Sequence, residues 1–158
     1  MKKVFGISVI VLAIDQALKL LVQTFLKDVG SVCLIPHFFE LQYAENDGAA
    51  WSMFSGNRLF LIFMTFLFLG MIYYFFLKNE TLDHLKKWGI GFLIGGILGN
   101  LFDRLFLGYV IDYLSFEIFG YAFPIFNFAD TCIVLAILFL IIKSSEEVLP
   151  WKLKWKKH

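Results

Sequence analysis

Two aspartates, Asp112 and Asp130, fall in a window, residues 99–130, that also holds Asn100, Asp103, Arg104 and Asn127. The flanking sequence is apolar enough to live in lipid, where such groups are costly. Two carboxylates brought close in a low dielectric cannot both ionise. One keeps its proton, and the pair titrates as a unit. The ionised member can deprotonate a water while its protonated neighbour donates to a carbonyl, as in aspartic proteases. That chemistry needs neither a metal nor a nucleophilic Ser or Cys. The sequence shows no metal-ligand spacing, Gly-rich phosphate loop or Ser/His/Asp pattern. His37, His84 and His158 read as loop or tail residues. Cys33, in a predicted loop, and Cys132, in an apolar run, read as free thiols. By spacing alone, the acids also fit a proton relay or a structural network.

Elements that carry such groups into a membrane are plain in the composition. Of 158 residues, 59% are hydrophobic and 19% aromatic, and mean hydropathy is +0.76. Soluble domains average about 45–50% apolar. Four runs, near 4–26, 58–77, 88–107 and 124–142, are long enough to cross about 30 Å of hydrocarbon. The expected fold is a single all-α membrane unit over 1–158. The first run is too long for a signal-peptide core and lacks a small-x-small site, so it reads as a retained helix. A net charge of +1 gives no reason to expect a nucleic-acid partner.

Orientation follows the basic residues. Lys2, Lys3, Lys78, Lys86, Lys87, Lys143, Lys152, Lys154, Lys156 and Lys157 fall on one side; Lys27, Arg58 and Arg104 fall on the other. Both termini are therefore expected in the cytoplasm, with Trp88, Trp151 and Trp155 at the inner interface and Trp51 outside. The tail 151–158 is basic and aromatic and suits anionic head groups. Outside, residues 34–46 alternate with a period of two, which predicts a strand or hairpin on the membrane surface. Asp47-Gly48 signals a turn, and 49–56 reads as a short apolar segment in the interface, expected as a short interfacial helix. The outer cradle and this segment together span about 29–57.

Several polar residues lie inside the spans. Asp15 and Lys19 are one helical turn apart, with Gln16 and Gln23 nearby. They read equally as a packing ion pair or as support for a site. Gly91, Gly95 and Gly99 read as helix packing. Asn100, Asp103 and Arg104 share a face near the outer end of span three; Asp103 and Arg104 also fit simple interface markers. Pro124 suits a helix start, which puts Asn127 and Asp130 on one face near the outer end of span four. Asp112, flanked by Val-Ile and Tyr-Leu, reads as a loop carboxylate pressed onto the bundle. All these groups can converge just beneath the outer surface.

Five blocks then carry a resemblance: DQALK at 15–19, NDGAAWS at 46–52, GNLFDR at 99–104, VIDY at 110–113 and FNFAD at 126–130. In that order, over essentially the full length, the chain resembles the bacterial lipoprotein signal peptidases (signal peptidase II). The resemblance implies four transmembrane helices, an extracytoplasmic β-sheet cradle and an aspartate pair, Asp112 and Asp130. Asn46, Gly48, Asn100, Asp103, Arg104, Asn127 and Asp15 fall on supporting positions. It implies an inner-membrane enzyme that needs no cofactor and works as a monomer among membrane lipid. That enzyme cleaves diacylglyceryl-modified prolipoproteins before the lipidated cysteine and is inhibited by globomycin-type cyclic peptides. Glu45, where some relatives have Arg, and Val110-Ile111-Asp112-Tyr113, where many have Val-Val-Asp-Phe, are small departures. An ion-coupled transporter or proton channel is the alternative, but such sites sit near the midplane between repeats, and no repeat is evident. A non-enzymatic assembly partner would not require Asp112 outside the spans.

Overall fold

The computed structural model describes residues 1–49, 51, 53–78 and 82–148, with the backbone alone over 145–148. Its helices are α1 (Lys2–Leu26), α2 (Arg58–Ile72), α3 (His84–Phe106) and α4 (Phe128–Val148). α2 runs on into a π-helical turn, Tyr73–Leu77. The strands are β1 (Ser31–Ile35), β2 (Phe39–Asn46), β3 (Val110–Ile118) and β4 (Tyr121–Ala122).

Among the described residues, α1, α2 with its π-helical turn, and α3 are long and apolar enough to cross a membrane, with mean hydropathies of 2.0, 2.3 and 1.3. Their outward faces carry large bare hydrophobics, such as Phe5, Leu59 and Phe63. A surface so apolar suits hydrocarbon as its solvent.

α3 is the central helix, and glycine is what lets its neighbours close on it. A Cβ on Gly91 or Gly95 would come within 2.6 Å of Ile7 or Val11 of α1, and one on Gly96 within 2.5 Å of the Ala129 carbonyl of α4. Ile7 and Val11 pack with Cys132, while Val4, Ile72, Leu82 and Ile90 form a second apolar cluster. Lys3 Nζ lies 3.2 Å from His84 Nδ1 and 5.4 Å from the Trp88 ring centroid. Lys143 pairs with Asp83 at 3.1 Å. The start of α1, the start of α3 and the end of α4 therefore share one end of the bundle. The sheet caps the other end, because α1 runs out into β1 and α3 into β3.

The sheet is antiparallel in the order β1-β2-β3-β4, and Ala44 of β2 faces Asp112 of β3. It is therefore not confined to residues 29–57. Asp112 lies in a strand, not a loop. Val110, Ile111, Asp112 and Tyr113 are all buried, and a strand covered on both faces shows no alternation to read. Cys33 likewise lies in β1, exposed, and His84 opens α3. α4 begins at Phe128 rather than at Pro124. The intervening chain runs beside β3: Phe123 N donates to Phe116 O at 2.9 Å, and Phe126 and Leu114 exchange bonds of 3.1 and 2.7 Å. The expected interfacial helix falls partly on residues 50 and 52, outside the described set; Trp51 has 3-10 geometry and 53–56 are turns. The basic tail, 151–158, also lies outside the described residues.

Candidate active site

The site is assembled from α1 outward. Asp15 and Lys19, four residues apart, meet at 2.9 Å. Lys19 Nζ also reaches Asp103 Oδ2 at 2.8 Å and Asn100 Oδ1 at 2.9 Å. An ammonium has three protons, so its donors are used up. These side chains are almost wholly buried, Lys19 at 2% exposure and Asp15 at 0%. Asp15 Oδ1 accepts from Ala129 N at 3.0 Å, in the first turn of α4. Gln16 Nε2 donates to Asp103 Oδ1 at 2.9 Å, and Ile111 N donates to Asp103 Oδ2 at 3.2 Å. One cluster thus ties α1, α3, α4 and β3 together. Asp103 is no interface marker. Gly99 differs from its stripe-mates: a Cβ there would run into the Asp15 carboxylate, so this glycine makes room for a charge.

A second set of groups lies beside the first. Asn127 and Asp130 cap α4 reciprocally: Asp130 N donates to Asn127 Oδ1 at 3.0 Å, and Asn127 N donates to Asp130 Oδ2 at 3.2 Å. This is a capping box with Asn and Asp in its two positions. It holds the Asp130 carboxylate at the helix mouth, where the macrodipole favours negative charge. Asn127 Nδ2 then donates to Asp112 Oδ1 at 2.6 Å and to Asn100 Oδ1 at 3.1 Å. Asn46 Nδ2 donates to Asp112 Oδ2 at 2.8 Å, and Asn100 Nδ2 to Asp130 Oδ1 at 2.7 Å. Three asparagines thus hold two aspartates. The Tyr113 hydroxyl accepts from Phe128 N at 3.3 Å and steadies the same helix start.

Arg104 completes the wall. Its Nη2 donates to Gly48 O at 2.8 Å, while Gly48 N donates to Asn46 Oδ1 at 3.0 Å. The turn after β2 is thereby fixed over the acids. A cavity of about 250 Å³ is lined by Asn46, Asn100, Arg104, Asp112 and Asp130 on its polar side and by Ile125, Ile133 and Val134 on its apolar side. A second, of about 430 Å³, shares Asn46, Asp112, Pro124 and Ile125 and adds Glu45, Asp47, Trp51 and Tyr121. Burial first, and the Asp130 charge second, push the Asp112 carboxyl up to about 6, against the hydrogen bonds from Asn46 and Asn127. The arrangement thus offers a carboxyl that gains its proton far above the usual range, a second carboxylate beside it, and room for a peptide.

Residues 7–145 match the family model for signal peptidase (SPase) II. The chain belongs to the signal peptidase II family. Lipoprotein signal peptidases of Staphylococcus aureus strains JH9 and Newman are each 38% identical over 136 residues, 86% of this chain and 83% of theirs. A solved structure described as a bacterial membrane enzyme, obtained by the in meso method at 2.3 Å resolution, superposes with a TM-score of 0.86 at 34% identity, covering 99% of this chain and 96% of its own. Another, at 1.9 Å, gives 0.80 at 35% identity, over 91% and 93%.

In this signal peptidase II chain, every site residue picked out from sequence joins one connected network: Asp15, Asn46, Gly48, Asn100, Asp103, Arg104, Asp112, Asn127 and Asp130. Gln16 and Tyr113 were not assigned to the site. Gln16 stood out only as a polar neighbour of Asp15 and Lys19, and Tyr113 only as a flank of Asp112. Glu45, the departure from some relatives, pairs with Lys27 at 3.1 Å and accepts from the Tyr43 hydroxyl at 2.9 Å. Its charge is therefore balanced within the cradle.

Proposed function

We propose that this chain is an aspartic endopeptidase that removes signal peptides from diacylglyceryl-modified prolipoproteins, cutting before the lipidated cysteine. One observation carries the reading. Asp112 and Asp130 line the same cavity, and amides rather than cations hold both. Asp130, ionised, takes a proton from a water. The resulting hydroxide attacks the scissile carbonyl while Asp112, protonated, donates to its oxygen. The tetrahedral intermediate collapses as the proton on Asp130 passes to the leaving amide nitrogen. Asn46, Asn100 and Asn127 hold the acids in register, and Arg104 fixes the Gly48 turn above them.

The four helices act as membrane spans, with both termini in the cytoplasm of a bacterium and the site beneath the outer leaflet. The shared location of Lys3, Trp88 and Lys143 at the end opposite the sheet supports this orientation. An exported precursor's cleavage site arrives at that depth, and the acyl chains of its diacylglycerol suit the apolar wall of Ile133 and Val134. The enzyme works as a monomer without a cofactor, and globomycin-type cyclic peptides compete for the same cavity.

The test is turnover of a synthetic lipid-modified precursor by purified protein, beside the Asp130→Asn variant. Cleavage before the modified cysteine by the wild type alone is expected. Wild-type turnover in the variant, or EDTA inhibition reversed by zinc, would overturn the mechanism.

A further inference from the structure

Ile125 stands where the two cavities meet and lines both. The chain around it runs beside β3. Phe126 exchanges both its backbone bonds with Leu114, and Phe123, three residues earlier, donates to Phe116, so the segment carries one residue more than the two-residue step of β3 and bulges at Pro124 and Ile125. Ile125 makes no backbone bond to β3. Among the described residues, none donates to its carbonyl or accepts from its N–H. Pro124, with no N–H to offer, suits an edge position. The edge is only half-buried, and Asp112 lines both of the cavities it borders.

A bare strand edge beside two acids matches one kind of ligand, an extended peptide that adds itself as a further strand. We propose that the Ile125 backbone is a docking rung for the substrate chain, its N–H donating to one substrate carbonyl and its C=O accepting from one substrate N–H. This deepens the peptidase reading and rests on it. Two consequences follow. The precursor must be extended, not helical, where it crosses the acids. Recognition at this rung is blind to side chains but intolerant of a substrate residue that lacks an N–H.

An N-methyl scan of the lipid-modified precursor peptide against the unaltered enzyme tests this. Methylation at one amide near the scissile bond should raise KM about tenfold, the scale of one lost hydrogen bond, with kcat changed less. Methylation one residue away, on the opposite edge, should leave KM within about twofold. In parallel, an enzyme with a backbone ester in place of the Ile125 amide should show the same KM rise at unchanged Tm, because that N–H holds nothing within the fold. A flat N-methyl scan, or an ester enzyme with wild-type KM, overturns the proposal. Binding of the same peptides to the Asp130→Asn variant separates the two failures. Loss of the rung leaves the acids' requirement intact, whereas turnover by that variant breaks the peptidase mechanism whatever the scan shows.

Discussion

Two polar clusters sit side by side in this bundle, and they are built to opposite ends. Around Lys19, one cation meets Asp15, Asp103 and the Asn100 oxygen, and every ammonium proton has an acceptor. Nothing there is left to react. Around Asp112 and Asp130, the donors are the amides of Asn46, Asn100 and Asn127. A neutral amide positions a carboxylate without cancelling its charge, so the proton affinity stays free to be set by burial and by the neighbouring acid. Asn100 joins the clusters, its oxygen toward Lys19 and its nitrogen toward Asp130. The saturated cluster fixes the orientation of an amide that serves the unsaturated one.

The comparison is broken most directly at the unsaturated side. Asp112→Asn or Asp130→Asn should lower turnover by a thousandfold or more, on the order of 4 kcal/mol in the barrier, while Tm in detergent stays near wild type. Lys19→Met should act first on stability. It strands two buried carboxylates and should cost about 3–5 kcal/mol of stability, read as a large fall in Tm. A stable but inactive Lys19→Met enzyme would move Lys19 into the chemistry and erase the distinction. Gly99→Ala probes the same cluster more gently. Its Cβ meets the Asp15 carboxylate, and overpacking of this kind costs about 1–3 kcal/mol.

How far these clusters were legible in sequence depends on whether the partners lie on one helix. Asp15 and Lys19 announce themselves by a four-residue spacing. The reach of Lys19 to Asp103 is a product of helix packing and leaves no trace in spacing. From sequence, span four starts at Pro124, which misses the Asn127–Asp130 cap; the pairing of Phe123 and Phe126 with β3 moves the helix start to Phe128. Asp112 was found by its odd apolar flanks, yet its strand was not, because four consecutive buried residues leave no alternation of the kind that Phe39, Leu41 and Tyr43 make with Glu40 and Gln42 in β2.

The smallest effect is also the sharpest test of which acid carries the proton. Asp112 binds its proton up to about pH 6 because burial and the Asp130 charge penalise its ionised form. With Asp112 as the protonated partner, kcat/KM should fall as pH rises through that value, since this profile reports the free enzyme. Asn46 donates to the ionised form and holds the value down, so Asn46→Ala should move the falling limb to higher pH. Loss of one hydrogen bond of about 1 kcal/mol corresponds to a shift of roughly half a unit to one unit. Stability carries the same sign. A carboxyl raised on folding stabilises the native state fully below its unfolded value of 3.8 and loses that contribution as pH climbs past about 6. Wild-type protein should therefore melt lower at pH 8 than at pH 5, with a smaller difference in Asp112→Asn. A limb that moves to lower pH in Asn46→Ala would give the proton to Asp130 and exchange the two roles.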